Sequence, residues 1–175
     1  RRDGRRFIAI PRSLTREQVG NFGLQGGIPF GVLSNVGQFA AGGFQVSQTP
    51  NYSGTVGKLW LDQGGVYVMA NIRGGGEFGP AWHQAGLKTK RQVVYDDFIA
   101  VAEDLIKRKV TSKDKLGAMG GSNGGLLMGV MYTQRPDLFH AIVCQVPLLD
   151  MLRYNLLLAG ASWMAEYGDP DAPEE

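Results

Sequence analysis

The stretch Leu116-Gly117-Ala118-Met119-Gly120-Gly121-Ser122-Asn123-Gly124-Gly125-Leu126 decides how the rest of the sequence is interpreted. Its first four residues are a short strand candidate, and residues 126–134 favour a helix that Pro136 ends. Gly-x-Ser-x-Gly at such a strand-to-helix turn is the pattern of a nucleophile elbow, which exposes the serine hydroxyl above the sheet. The flanking glycines relieve the close approach of the two backbones. The stretch therefore predicts Ser122 as a nucleophile.

The helix after Ser122 adds an electrostatic element to this turn. Its N-terminal amides carry partial positive charge, so the Asn123 amide is the predicted first donor to an oxyanion. Removal of one such donor typically costs about 3–4 kcal/mol. Glycine-rich turns are common, and a merely structural turn is the alternative. The strand before Ser122 and the helix after it favour the elbow.

Further elements on both sides predict an α/β fold. Residues 65–72 form an apolar run bounded by glycines, and residues 141–146 form another, as expected of buried parallel strands. Residues 94–109 place apolar side chains at helical spacing, with acids near the start and bases at the end. Strands that alternate with helices indicate a mostly parallel sheet with crossover helices.

Residues 1–44 carry little pattern. Phe7–Ile10 is predicted as a short strand that ends at Pro11, and glycines interrupt any strand period beyond it. Arginines crowd the first sixteen residues, which is more typical of a solvated end than of a binding patch.

Composition fits an ordinary soluble globular chain and excludes few functions. Of 175 residues, 43% are hydrophobic and 19% charged, and a net charge of +2 predicts neither a nucleic-acid nor a membrane partner. We expect no membrane span, signal peptide, cofactor or metal. The single cysteine, Cys144, excludes an internal disulfide and is predicted to be a small buried hydrophobe. A reducing compartment is compatible with this cysteine but is not required. The location is not determined by the sequence, and a cytoplasmic one is favoured.

A competing pattern lies upstream. Residues 74–79 match the dinucleotide fingerprint G-x-G-x-x-G after a strand, and the aspartates at 96–97 lie near the expected distance downstream. However, Glu77 would place a negative charge inside a pyrophosphate loop. Pro80 and Trp82 would also make the start of the following helix irregular. The dinucleotide interpretation is therefore disfavoured.

Six blocks in this order resemble the catalytic domain of prolyl oligopeptidases over roughly residues 44–173: Ala70–Gly79, Ala81–His83, Asp96–Phe98, Gly120–Gly125, Gln134–Phe139 and Trp163–Gly168. Asparagine after the serine points to the prolyl oligopeptidase branch itself. The resemblance implies a partial α/β-hydrolase domain at 45–175, truncated before its last strands, after a poorly matched segment at 1–44. It also implies a β-propeller in the full-length protein and cleavage of short peptides after proline.

The resemblance assigns further roles by matching position. A rigid proline ring is best recognised by a flat aromatic face and a tight apolar slot. Without the family match, each pocket residue below could equally be core packing. The implied residues are Ser122 as nucleophile, the Asn123 amide as oxyanion donor, Trp163 stacked on the proline, and Phe44, Leu148 and Tyr167 lining the same pocket.

The chain departs from the family in its catalytic machinery. The hydrolase order is serine, then acid, then histidine, and the only histidine after Ser122 is His140. That residue follows the elbow helix too closely to be the base. His83 precedes the serine and is assigned a structural or loop role. We therefore expect the triad aspartate and histidine beyond residue 175, and an apolar, self-associating sheet edge near residues 141–146.

A second departure lies at Ala41, where the family has a tyrosine whose hydroxyl completes the oxyanion hole. Three explanations are open: a divergent homologue, a sequence error such as a frame shift, or a reading frame assembled from partial DNA. The abrupt loss of similarity over residues 13–41 favours the latter two. Two functional alternatives also stay open. One is a non-catalytic remnant that binds peptides or proteins, and the other is an esterase on the same fold.

The isolated chain is predicted to hydrolyse peptides negligibly, because a serine without a general base is a poor nucleophile near neutral pH. An active-site-directed fluorophosphonate probe measures this directly. Slow, substoichiometric labelling of Ser122 is expected, and rapid stoichiometric labelling would show the prediction to be wrong.

Overall fold

The computed structural model describes residues 7–10, 30–33, 43–48 and 53–172, the first two ranges by their backbone alone. Their strands form one five-stranded sheet, in the order β1-β3-β2-β4-β5, in which every pairing is parallel. The strands are β1 (Phe7–Ile10), β2 (Phe30–Leu33), β3 (Val66–Ala70), β4 (Leu116–Gly121) and β5 (Ala141–Gln145). The α-helices are α1 (Gly54–Leu59), α2 (Pro80–Gln84), α3 (Gln92–Lys107), α4 (Asn123–Gln134) and α5 (Met164–Tyr167).

Two helices make the crossovers on which the site depends. Parallel neighbours need long connections, and α4 supplies the one between β4 and β5. The α3 helix lies between β3 and β4 in the chain and turns its apolar stripe inward. One core cluster joins that stripe to the sheet and to α4, and it includes Val68, Phe98, Leu105, Leu116, Met128 and Met131.

Most of the predicted elements are confirmed. The strands around residues 65–72 and 116–119, the helices around 94–109 and 126–134, and the short strand Phe7–Ile10 are all present. The β2 strand lies in a region where the sequence predicted no structure. Its pairing with both β3 and β4 places it at the centre of the sheet.

The predicted burial of the strand at 141–146 is wrong. Four of the five residues of β5 are exposed and Ile142 is half-buried, because β5 is the edge strand among the described residues. Cys144 is exposed for the same reason, and its thiol lies 3.2 Å from the Gly125 carbonyl oxygen. Val143 and Val146 are also exposed, as expected of an apolar sheet edge.

Glycines let β4, α4 and β5 approach one another around Ser122. A Cβ atom added at Gly120 would lie 2.6 Å from the Gly124 carbonyl carbon. One added at Gly125 would lie 2.7 Å from both the Gln145 carbonyl oxygen and the Pro147 Cα atom. These obstacles are backbone atoms, so relief of the clash requires the strand and helix to move apart.

Gly120→Ala is therefore expected to lower the free energy of unfolding by about 1–3 kcal/mol, the usual cost of overpacking. Gly117→Ala is a matched control on the same strand, because its added Cβ would lie 3.6 Å from the nearest atom, at ordinary contact distance. Chemical denaturation of both variants measures the difference. Equal stability of the two would contradict the close-approach argument.

Candidate active site

Ser122 is the single residue between β4 and α4, and its backbone is strained. Its φ of 58° and ψ of −117° fall in a region that non-glycine residues rarely adopt. The Ser122 N–H donates to the Gln145 carbonyl oxygen at 3.0 Å, and the Ser122 carbonyl accepts from the Leu126 N–H at 3.1 Å. The side chain is exposed. This is the strand–turn–helix context that a nucleophile elbow requires.

The N-terminus of α4 begins directly after this residue. The first amides of a helix lack partners within the helix and carry partial positive charge. In α4 they belong to Asn123, Gly124 and Gly125. Such an end can stabilise negative charge beside Ser122, and the role of the Asn123 amide as oxyanion donor stays a prediction.

The Asn123 side chain makes contacts that are separate from those of its backbone N–H. It is 3% exposed. Its Oδ1 atom accepts a hydrogen bond from the Tyr167 hydroxyl at 2.7 Å and another from Nη2 of Arg91. The residue after the candidate nucleophile is therefore bonded to two distant parts of the chain.

A buried ion pair extends this contact. Arg91 Nη1 donates to Glu166 Oε1 at 2.5 Å, and His83 Nε2 lies 2.8 Å from Glu166 Oε2. Glu166 is 4% exposed, so its charge needs such partners. The contact of His83 agrees with the structural role expected from the sequence. We refer to Arg91, Glu166, Asn123, His83 and Tyr167 as the polar hub.

Tyr167 joins the polar hub to an aromatic cluster. Its ring packs edge-on against Phe44 and Tyr154, with centroids 5.6 Å apart in each pair, and Arg91 Cζ lies 4.9 Å from its centroid. Burial raises the pKa of Tyr167 and outweighs the opposing effect of the Arg91 charge. The hydroxyl therefore stays protonated at neutral pH and remains a donor to Asn123.

The backbone at Gly43 packs directly on the polar hub. A Cβ atom at this position would lie 2.5 Å from Asn123 Nδ2 and 2.9 Å from Glu166 Oε1. Phe44 and Gln45 follow with φ values of 53° and 54°, which turn the chain sharply. The glycine thus lets the backbone just before Phe44 lie against the polar hub.

The glycine turn at 74–79 is occupied by a side chain of the turn itself, that of Glu77. Glu77 Oε1 accepts from the Gln48 N–H at 2.8 Å, and the Glu77 carboxylate lies against Gly75. Asp97 binds Arg73 through both carboxylate oxygens, at 2.8 Å from Nε and 2.5 Å from Nη2. The helix that follows the turn, α2, has only five residues. These contacts describe a packed loop and give no support to a dinucleotide cradle.

The structure brings together only two of the four predicted pocket residues. Phe44 and Tyr167 are in direct contact. Trp163 ends a 3₁₀ turn and Leu148 follows β5, and both are half-buried, so their membership of the same pocket stays a prediction. Ala41 lies outside the described residues.

His140 is remote from Ser122. Its N–H donates to the Leu116 carbonyl at 2.8 Å, at the start of β4, whereas Ser122 follows the other end of that strand. At the rise of a strand this separation is about 20 Å. The expectation that His140 is not the base agrees with this position.

Sequence reasoning missed Arg91, Glu166 and Tyr154 as parts of the site. Arg91 stands among the lysines of the 3₁₀ turn Lys88–Lys90 and looks like a surface charge. Its partner Glu166 is 75 residues away, and no local periodicity links the two. The position of Glu166 inside the Trp163–Gly168 block was the one available signal.

Comparison with known proteins identifies the family. The sequence profile of the prolyl oligopeptidase family matches residues 50–175. The chain belongs to the prolyl oligopeptidase family. A prolyl endopeptidase of Dictyostelium discoideum is 48% identical over 134 residues, which cover 77% of this chain and 18% of that protein. An uncharacterized peptidase of Sinorhizobium fredii is 67% identical over 78% of this chain and 19% of its own length.

Solved structures agree with this assignment. A post-proline cleaving enzyme from Rickettsia typhi superposes with a TM-score of 0.80 at 48% identity, over 89% of this chain and 22% of that enzyme. Prolyl oligopeptidase B from Galerina marginata gives 0.76 at 34% identity, over 85% of this chain and 20% of that protein. The chain thus adopts part of an α/β-hydrolase fold and spans about a fifth of the length of the curated relatives it matches.

Two searches of the described residues gave negative results. No cluster of three or more histidine, cysteine, aspartate or glutamate side chains is arranged to hold a metal ion in that part of the chain. None of the helices described is long and apolar enough to cross a membrane.

Asn123→Ala is expected to lower the free energy of unfolding by about 1–3 kcal/mol, because it leaves a donor of Arg91 unpaired in a buried site. The backbone N–H of residue 123 is retained. Asn155→Ala is the control, since the hydrogen bond from its Nδ2 atom to Asp171, at 3.2 Å, is exposed and the loss of that bond is expected to cost under about 0.5 kcal/mol. Denaturant titration compares the two, and an equally small cost for Asn123→Ala would contradict the prediction.

Proposed function

We propose that this chain carries the nucleophile and the proline-recognition elements of a serine peptidase of prolyl oligopeptidase type. The observation that supports this best is the bond between the two elements. The residue after the elbow serine accepts a hydrogen bond from Tyr167, and Tyr167 belongs to the aromatic cluster with Phe44. A nucleophile and an aromatic recognition surface are therefore held together.

The reaction follows from the geometry of the elbow. Ser122 Oγ attacks the carbonyl carbon of a proline residue in a peptide, and its proton passes to a base that residues other than the described ones supply. The Asn123 N–H, at the N-terminus of α4, donates to the oxyanion of the tetrahedral intermediate. The peptide C–N bond breaks, the amine leaves with a proton, and an acyl-enzyme remains. Water then hydrolyses that ester.

Proline recognition is assigned to the aromatic side of the site. Trp163 stacks on the pyrrolidine ring, and Phe44, Leu148 and Tyr167 enclose it. Flat aromatic faces suit a rigid ring, because they bury its apolar surface at little entropic cost. Phe44 is 37% exposed, which leaves part of its ring accessible to a ligand.

Activity requires parts that relatives of greater length possess. We propose that the complete enzyme supplies the triad aspartate and histidine and a propeller that limits substrates to short peptides. The 175-residue chain by itself is proposed to be inactive. Catalysis is therefore best tested with residues 43–172 grafted into a full-length relative in place of the matching segment.

The prolyl endopeptidase of Elizabethkingia miricola, 47% identical over 137 residues, is a suitable host. The graft is expected to cleave peptides after proline, and Ser122→Ala in the graft is expected to lower kcat by several orders of magnitude. A short acyl ester is assayed in parallel. A folded graft that hydrolyses the ester but not the peptide would favour an esterase. A folded graft that only binds proline peptides would favour a non-catalytic module.

A further inference from the structure

We infer that Arg91 and Glu166 are positioning residues that fix the proline pocket at a set distance from the nucleophile, and so determine selectivity for proline. The inference rests on the proposed function and deepens it. Arg91 and Glu166 are buried and charged, and the proposed function gives neither of them a contact with the substrate.

Arg91 connects the two halves of the site through one guanidinium group. Its Nη1 atom binds Glu166, in the segment that carries Trp163 and Tyr167. Its Nη2 atom binds Asn123, the neighbour of Ser122. The same group covers the ring of Tyr167 at 4.9 Å. Pocket and elbow are thus linked through a single rigid plane.

The guanidinium shape matters for this link. Its donors diverge in a fixed fork, whereas a lysine ammonium is a compact point charge on a flexible stem. A lysine could pair with Glu166, but it could not hold Glu166 and Asn123 at a defined separation. Gly43 packs against the same three side chains, so closely that a Cβ atom added there would lie within 3.0 Å of each of them.

Stability alone is a weak explanation for this buried pair. Desolvation of two charges often exceeds their mutual attraction, and apolar replacements of similar volume are frequently neutral or stabilising. Geometry is a stronger explanation, because a displacement of 1 Å between reacting groups can lower a rate on the order of a hundredfold. The hydrogen bonds from Arg91 to Glu166 and Asn123 fix the distance between the pocket and Ser122, so their loss would allow such a displacement.

The experiment compares substrates that carry proline or alanine before the scissile bond, in the graft described above. Glu166→Gln and Arg91→Lys are each expected to lower kcat/KM for the proline substrate on the order of a hundredfold. The alanine substrate, which does not fill the pocket, is expected to lose much less, so the selectivity ratio falls at least about tenfold. Glu166→Asp, which keeps the charge, is expected to retain more selectivity than Glu166→Gln.

Glu103→Gln is the matched control. It removes a carboxylate that pairs with Arg135 at 2.6 Å, but on the exposed surface, where Glu103 is 47% exposed. Its selectivity ratio is expected to equal that of the unsubstituted graft. An unchanged ratio in both Arg91→Lys and Glu166→Gln would overturn the inference. A uniform loss on both substrates with a lower melting temperature would also overturn it, since that is the signature of a purely structural role.

Amide hydrogen exchange in the 175-residue chain separates this inference from the proposed function. Glu166→Gln is expected to speed exchange in residues 163–168 and 123–126 together, while residues 98–105 of α3 stay unchanged. If the unsubstituted graft does not cleave after proline, the proposed function fails, and the exchange pattern still decides whether the pair couples the two segments. Uniform acceleration, or none, would overturn the coupling, and Arg91→Lys provides a second variant if Glu166→Gln does not fold.

Discussion

The close approach of β4 and α4 at Ser122 is the constraint on which the rest of the site depends. A single residue reverses the chain from strand to helix, and it does so at φ 58° and ψ −117°. Such strain persists only where the surroundings impose it. Here the Gln145 carbonyl accepts the Ser122 N–H, and glycines at 120 and 125 remove the side chains that would hold the backbones apart. The close packing of β4, α4 and β5 therefore holds Ser122 in its strained, exposed position.

The polar hub holds distant segments of the chain against this turn. Glu166 and Arg91 are 75 residues apart in sequence, and Asn123 lies between them. Apolar contacts alone would bring these segments together without fixing their separation. Hydrogen bonds to both carboxylate oxygens of Glu166 and to Oδ1 of Asn123 specify that separation, because each bond tolerates only a narrow range of geometry.

Sequence reasoning succeeded where local pattern carries the information. The strand–turn–helix at Ser122, the helix α3 and the strand β4 each have a signature within about fifteen residues, and all three are present. It failed where burial depends on a neighbour, as at β5 and Cys144, whose apolar run lies exposed at an edge of the described sheet. It also missed Arg91, because the burial of a charged residue depends on a partner that only the fold brings near.

Under the proposed function, the reaction and the selectivity for proline both involve Asn123. Its backbone N–H belongs to the positive end of α4, beside Ser122, while its side-chain oxygen binds Tyr167 and Arg91. Any residue except proline could supply the N–H, but a side-chain acceptor of this length in a buried site narrows the choice to asparagine or aspartate. Aspartate would bring a negative charge next to the forming oxyanion. A neutral amide therefore satisfies both requirements, so asparagine after Ser122 suits the proposed pocket as well as the proposed reaction.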